Sequence, residues 1–355
     1  VSSTTLASAS LSRRSFLRRS AFALAAATAG PALLAGCGSG DAGADGSGKV
    51  TFLSYLPLET LSLTPELLAV AGGHFKKHGL DVTLQPVKGS PQAMQTLLSG
   101  IAPITRLGQI DVMTAVADTG QPLVTIGTLS RGSSLRFVYS KKRHPLAKPE
   151  DFVGQTMGVP SEGGTSDKVV SLVLANAGID PEQTKRQVVG LTPGTFSLVE
   201  QGRLAGYVVS VDTATILTAQ NPDVGLFNPG ETVKSDLQVY VTSKDALKND
   251  SGTLQAFMAG IDDALSAIVA DESLDETVKQ LRTRYSFATL DDDKIAKASL
   301  TLLRESWTGG DPSKPLLVTD QAAWAAGYTE LTAAGLAKSG ADAGSWFDNS
   351  LLPKA

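Results

Sequence analysis

Four places in this 355-residue chain combine residue types able to hold a ligand or do chemistry. The turn SEGGTS, residues 161–166, feeds a helix-forming run. Free N–H groups and hydroxyls at a helix start suit carboxylate, sulfonate or phosphate oxygens, which makes Ser161, Gly164, Thr165 and Ser166 ligand candidates. Thr165 or Ser166 could equally do no more than cap the helix. Arg106 stands near the end of an otherwise apolar strand, followed by Gly108 and Gln109. A strand arginine among apolar neighbours needs a partner, either a ligand anion or an internal acid. Arg131, after the strand ending at Leu129, has the same case in weaker form. Tyr55 closes the first strand, placed to stack on a planar solute or to pack in the core. Ser210 and Asp212 end another strand, where Asp212 either caps the next helix or faces a cleft. Facing a cleft, it would favour an amine or ring N–H and repel a dianion.

The remaining inventory argues against catalysis. His74 and His78 stand four apart, a metal-compatible spacing, but without the Glu of a zinc-protease motif and with two lysines between them. His144 precedes Pro145 in a loop-forming stretch. No Ser-His-Asp, Cys-His or paired-carboxylate arrangement emerges, so no catalytic residue, metal or cofactor is expected. The single cysteine excludes an internal disulfide.

The elements that would carry these residues alternate. Residues 49–55 form a strand candidate; Thr64-Pro65-Glu66 then opens a helix with a proline in its first turn and an acid near its positive end. Strands at 81–87, 101–107 and 123–129 alternate with helices at 90–98 and 111–118. The pattern restarts after 135–140, with strands at 156–159, 188–191, 206–211 and 224–227 and helices at 167–177, 195–201 and 213–219. From Leu254 onward the chain is mostly helical, with apolar stripes at 254/257/261/265/268 and 295/300/303/307. Such alternation implies parallel sheets with right-handed crossovers. Two extended segments, 135–140 and 237–242, predict two lobes joined by two crossings. A ligand would then lie between the lobes, outside the carboxyl ends of the strands.

The N-terminal end differs in kind. Residues 12–18, SRRSFLR, precede an Ala-rich apolar run from 21 to 35 and then LAGC at 34–37. A positive start, a short apolar run and a small-residue cleavage site make an export signal; the run is short for a membrane span. The paired arginines resemble a twin-arginine signal, and LAGC resembles a lipobox, which predicts lipidation at Cys37. Residues 38–48, GSGDAGADGSG, read as a flexible tether. Beyond residue 36 the chain carries 27 basic and 35 acidic side chains, a balance near −8 that speaks against a nucleic-acid partner.

Several stretches, in order and at suitable spacing, resemble the NMT1/THI5-like group of periplasmic-type binding proteins. They are GHFKKHGLDV at 73–82, QTLLSG at 95–100, PEDFVGQTMGV at 149–159, the 161–166 turn, and VEQGRLAG at 199–206. The resemblance implies an α/β, two-lobed periplasmic-binding-protein fold of type II-like form, with two Rossmann-like lobes closing on one solute. With the N-terminal reading, it divides the chain into a Tat-type lipoprotein signal (1–36), a tether (37–48), lobe 1 (49–137), lobe 2 (138–239) and a helical return to lobe 1 (240–355). Together with the anchor read from residues 12–37, it implies a monomeric, non-enzymatic receptor, lipid-anchored on the outer face of the cytoplasmic membrane. Such a receptor would pass a heterocycle of the pyrimidine-precursor kind, or a sulfonate- or nitrate-type anion, to an ABC permease. The other readings are a THI5-like pyrimidine-synthesising enzyme and a lipoprotein scaffold without a solute. Two stretches depart from the family pattern. IAPITRLG after Gly100 lacks its usual Asp, and Asp212 stands where many relatives have an aromatic or another polar residue.

Overall fold

The computed structural model describes residues 48–354. Cys37, the export signal and residues 38–47 of the tether lie outside the described residues. Lobe 1 begins with β1 (Gly48–Ser54), α1 (Thr64–Ala71), α2 (His74–Lys77), β2 (Leu80–Pro86), α3 (Gly89–Leu98), β3 (Ile104–Gly108), α4 (Gln109–Thr119) and β4 (Leu123–Thr128). Lobe 2 contains β5 (Leu135–Ser140), β6 (Thr156–Val159), α5 (Thr165–Asn176), β7 (Lys185–Val188), α6 (Phe196–Glu200), β8 (Gly206–Ser210), α7 (Val211–Gln220) and β9 (Val224–Phe227). The chain returns through β10 (Gln238–Ser243), α8 (Lys244–Asn249), α9 (Ser251–Ala270) and α10 (Asp275–Arg282). It ends with α11 (Ala288–Asp291), α12 (Asp293–Thr308) and α13 (Gln321–Ala333).

The two sheets have the same plan. Their strand orders are β2-β1-β3-β10-β4 and β7-β6-β8-β5-β9, so each strand of one has a counterpart in the other. Neither sheet is purely parallel, contrary to the expectation from alternation. β10 runs antiparallel to β3 and β4, and β5 runs antiparallel to β8 and β9. The reason lies in the crossings. Strands such as β1 and β8 end at the interlobe side, whereas β5 and β10 arrive directly from the other lobe and begin there, so they must run the opposite way.

The crossings precede the extended segments and do not coincide with them. Leu135–Ser140 and Gln238–Ser243 are full sheet strands, and the chain changes lobes just ahead of each. The two crossings are tied together. Ser133 donates its hydroxyl to Asp236, and Ser130 Oγ accepts the Gln238 amide at 2.8 Å. Burial, opposed by the Ser133 bond and the Arg136 charge, pushes the Asp236 carboxyl up to about 6.

The central strands β3, β8 and β10, and the edge strand β4, are buried on both faces, as sheets covered by helices require. The predicted stripe of α9, Leu254, Phe257, Ile261, Leu265 and Ile268, is wholly buried in lobe 1. Phe257 stacks on Phe52 and Phe75 with ring centroids 5.5 and 4.7 Å away. Gly260 permits this approach, because a Cβ there would stand 2.5 Å from the Phe75 ring. Helix α12 buries its own stripe and also packs on α7, which couples the C-terminal helices to lobe 2.

Candidate ligand-binding cleft

The carboxyl ends of β1, β6 and β8 converge on a cleft between the lobes, the place where open α/β sheets bind ligands. Lobe 1 contributes Tyr55, Ser62, Ser90 and Gln238; lobe 2 contributes Ser134, Ser161, Thr165, Ser166 and Ser210. Among the described residues, none that lines the cleft is charged. About 540 Å³ of open space lies between the walls, but the centre of a water molecule fits in only ≈ 30 Å³ of it. The lobes therefore enclose a narrow slit, and a larger solute enters only when they part.

Five residues expected at the site line this slit: Tyr55, Ser161, Thr165, Ser166 and Ser210. Their polar atoms are already biased. Tyr55 donates its hydroxyl to Gln238 Oε1, and burial raises the tyrosine pKa far above its ordinary value. Thr165 Oγ1 donates to Asp111 Oδ2 at 2.5 Å, and Ser210 Oγ donates to Asp212. A carboxylate only accepts, so both hydroxyls spend their proton on it and keep lone pairs for anything else. Ser62 is the opposite case. Its Oγ is buried, the residue being 6% exposed, and has no hydrogen-bond partner. Helices α3 and α5 both start at the slit, and neither N-cap residue supplies a side-chain bond, though Asp111 accepts the Thr165 amide of α5 from the other lobe.

The other candidates do not line the cleft. Arg106, 1% exposed, bonds Glu66 through Nη1 at 3.0 and 3.1 Å and donates from Nη2 to the Ser62 carbonyl at 3.0 Å. Tyr240 completes the group, donating to Glu66 Oε1 at 2.9 Å. Burial lifts the Glu66 carboxyl; it also opposes the Arg106 charge, yet the adjacent Glu66 holds the guanidinium above its ordinary value. The internal acid, Glu66 of α1, is the partner Arg106 needed. Glu66 is thus more than a favourable charge at a helix start.

Gly108 lies at the lobe interface, where a Cβ would stand 2.1 Å from Thr165 Oγ1. Gln109 is buried behind the slit, against Gly327 of α13, with its Oε1 unpartnered. Arg131 reaches the Thr308 carbonyl at the end of α12, a favourable place for a cation, and the Pro315 carbonyl in the segment beyond it. Gly164 is the N-cap of α5 and packs on the Ser161 side chain. Asp212, 1% exposed, turns to lobe 1 and accepts the Leu61 amide at 2.8 Å and the Thr60 hydroxyl at 3.0 Å. Its capping place and its buried charge both matter, but the charge is satisfied by protein.

The family model described as NMT1/THI5 like matches residues 61–273. This chain belongs to the NMT1/THI5-like family. The match covers α1 to α9 and so includes most of both walls of the slit, Tyr55 and Leu56 excepted. A riboflavin-binding protein, RibY of Chloroflexus aurantiacus, is 27% identical over 143 residues, which span 39% of this chain and 39% of that protein. A Bordetella bronchiseptica protein superposes with TM-score 0.72 at 20% identity, covering 85% of this chain and 95% of its own. The alkanesulfonate-binding protein SsuA of Xanthomonas axonopodis, bound to MOPS, gives TM-score 0.64 at 14% identity, covering 82% and 94%. At such identities the likeness establishes the fold. The chain has the two-lobed periplasmic-binding-protein fold expected of an NMT1/THI5-like protein.

Sequence reasoning missed Ser62, Ser90, Ser134 and Gln238 in this NMT1/THI5-like cleft. Ser90 carried a usable signal, standing beside Pro91 at a helix start. Gln238 carried none, since only the return of β10 into the first sheet brings it opposite Tyr55.

Proposed function

We propose that the chain is an extracytoplasmic solute receptor that captures a small, uncharged nitrogen heterocycle and delivers it to an ABC importer. The observation that carries this reading is the polarity of the slit: no lining charge, and two hydroxyls that offer only lone pairs. Lone pairs select ligand N–H or O–H groups and repel an anion's oxygens. Ser62 and the starts of α3 and α5 supply complementary donors, which suits a ring bearing both N–H and C=O. A narrow slit also favours a flat solute. RibY is described as riboflavin-binding, and a flavin ring has this mix of groups. The starts of α3 and α5, beyond their already bonded first amides, favour the second reading, a sulfonate- or nitrate-type anion. Arg106, the strongest candidate cation for such an anion, is engaged by Glu66.

The slit also supports binding over catalysis. Its serine and threonine hydroxyls have no His or Lys among the lining residues to activate them. Thermal melting in the presence of riboflavin, uracil, taurine or nitrate tests the reading. A ligand at a hundred times its Kd adds about 2.7 kcal/mol to stability. Stabilisation by an N–H-bearing heterocycle alone is the expected result; stabilisation by taurine or nitrate alone overturns the heterocycle assignment, and no shift from any of the four overturns the receptor reading in this form. Residues 12–37 support export and a lipid anchor at Cys37, and Cys37→Ser should move the protein from the membrane fraction to the soluble one.

A further inference from the structure

Asp111 and Asp212 occupy matching places in the two lobes. Asp111 is the third residue of α4, after β3; Asp212 is the second residue of α7, after β8, and β3 and β8 hold the same position in the two sheet orders. Both side chains are buried, 2% and 1% exposed, and each turns its carboxylate to the opposite lobe. Asp212 of lobe 2 accepts the amide of Leu61 and the hydroxyl of Thr60, where the first helical turn after β1 begins. Asp111 of lobe 1 accepts the amide of Thr165 at 3.1 Å together with its hydroxyl, at the start of the first helix after β6. Lys168 adds a bond to Asp111 Oδ1 at 3.0 Å.

We propose that Asp111 and Asp212 are a reciprocal pair of interlobe clasps, positioning residues that hold the slit closed and orient its hydroxyls. The amides they accept belong to helix starts, whose N–H groups have no partner within their own helix. Hydrogen bonds to a charged acceptor are about twice as strong as neutral ones, and these four are made only while the lobes touch. Each clasp also reaches into the slit. Thr60 donates to Asp212 while its Oγ1 accepts the Ser62 amide at 3.2 Å, so the clasp sets the turn that carries Ser62. Thr165 is held by Asp111 next to Ser166, and Ser210 donates to Asp212 from its own lobe. Gly108 is the steric counterpart, since the Asp111 side of the interface closes only because no Cβ stands against Thr165.

Hydrogen exchange read by mass spectrometry on the ligand-free protein tests the pairing. Asp212→Ala should speed exchange at Leu61, in the lobe that does not carry the substitution, by about tenfold or more. Asp111→Ala should do the same at Thr165, again across the interface. The double variant should show a larger radius of gyration in solution scattering than either single variant. Thr60→Val and Thr165→Val remove the hydroxyl donors from the other side and should change exchange in the same direction, which keeps the test valid if an alanine variant does not fold. Exchange that rises only in the element bearing the substitution, or a double variant as compact as the parent, overturns the proposal. No ligand is involved, so this failure is separate from a failure of the receptor reading.

Discussion

Two polar regions of lobe 1 lie one residue contact apart and are used in opposite ways. Behind the slit, Glu66, Arg106 and Tyr240 form a buried group whose members bond to one another. In front of it, Ser62, Tyr55 and Gln238 face the slit, and the Ser62 hydroxyl is bonded to nothing in the protein. Arg106 links the two by holding the Ser62 carbonyl. The difference teaches that a buried charge is not by itself a recognition group. The pair behind shapes the wall, and the neutral groups in front are left to read a solute.

The sharpest way to break the comparison is to remove one member of the rear pair. Arg106→Met leaves Glu66 buried and uncompensated and should cost about 3–5 kcal/mol of stability in chemical denaturation. Adding Glu66→Leu should recover much of that loss, because the uncompensated charge is then gone. A ligand-affinity loss in the double variant larger than that of Ser62→Ala, with stability recovered, would show that Arg106 does more for the solute than hold Ser62.

Asp236 sharpens the contrast from the hinge, being a buried carboxylate with one oxygen unpartnered. Its folded pKa of about 6 lies above its ordinary 3.8, so the folded state holds this proton longer than the unfolded one. Its contribution is therefore most favourable below pH ~4 and is lost as pH rises through about 6. Asp236→Asn should remove this dependence, gaining on the parent by up to about 3 kcal/mol between pH 4 and pH 7. Paired denaturation curves at the two pH values check it; parallel curves would place the charge of Asp236 in a better-solvated site.

A wedge at the interface should do less to stability and more to closure. Gly108→Ala sets a methyl against Thr165, at a cost of about 1–3 kcal/mol if the lobes stay shut and less if they part. Solution scattering distinguishes the two outcomes, and an unchanged radius with unchanged stability would contradict the close approach. Ser62→Ala is the smallest change. With no protein partner to lose, it should stay within about 0.5 kcal/mol of the parent in melting while weakening the bound solute.

Local sequence determined much of the scaffold. The alternation of apolar runs with turn signals placed β4 and β9, and burial on one face wrote the period of the α9 stripe. The 161–166 turn was legible as a helix start, and the structure puts Ser161, Thr165 and Ser166 on the slit wall. Side-chain allegiance was not legible. Arg106 could answer to a solute or to an internal acid until α1 laid Glu66 beside it, and Asp212 could face inward or across until Leu61 arrived from the other lobe. The antiparallel strands β5 and β10 were hidden for the same reason. Their direction depends on which lobe the chain has just left, and a strand's residues record its burial but not its neighbours.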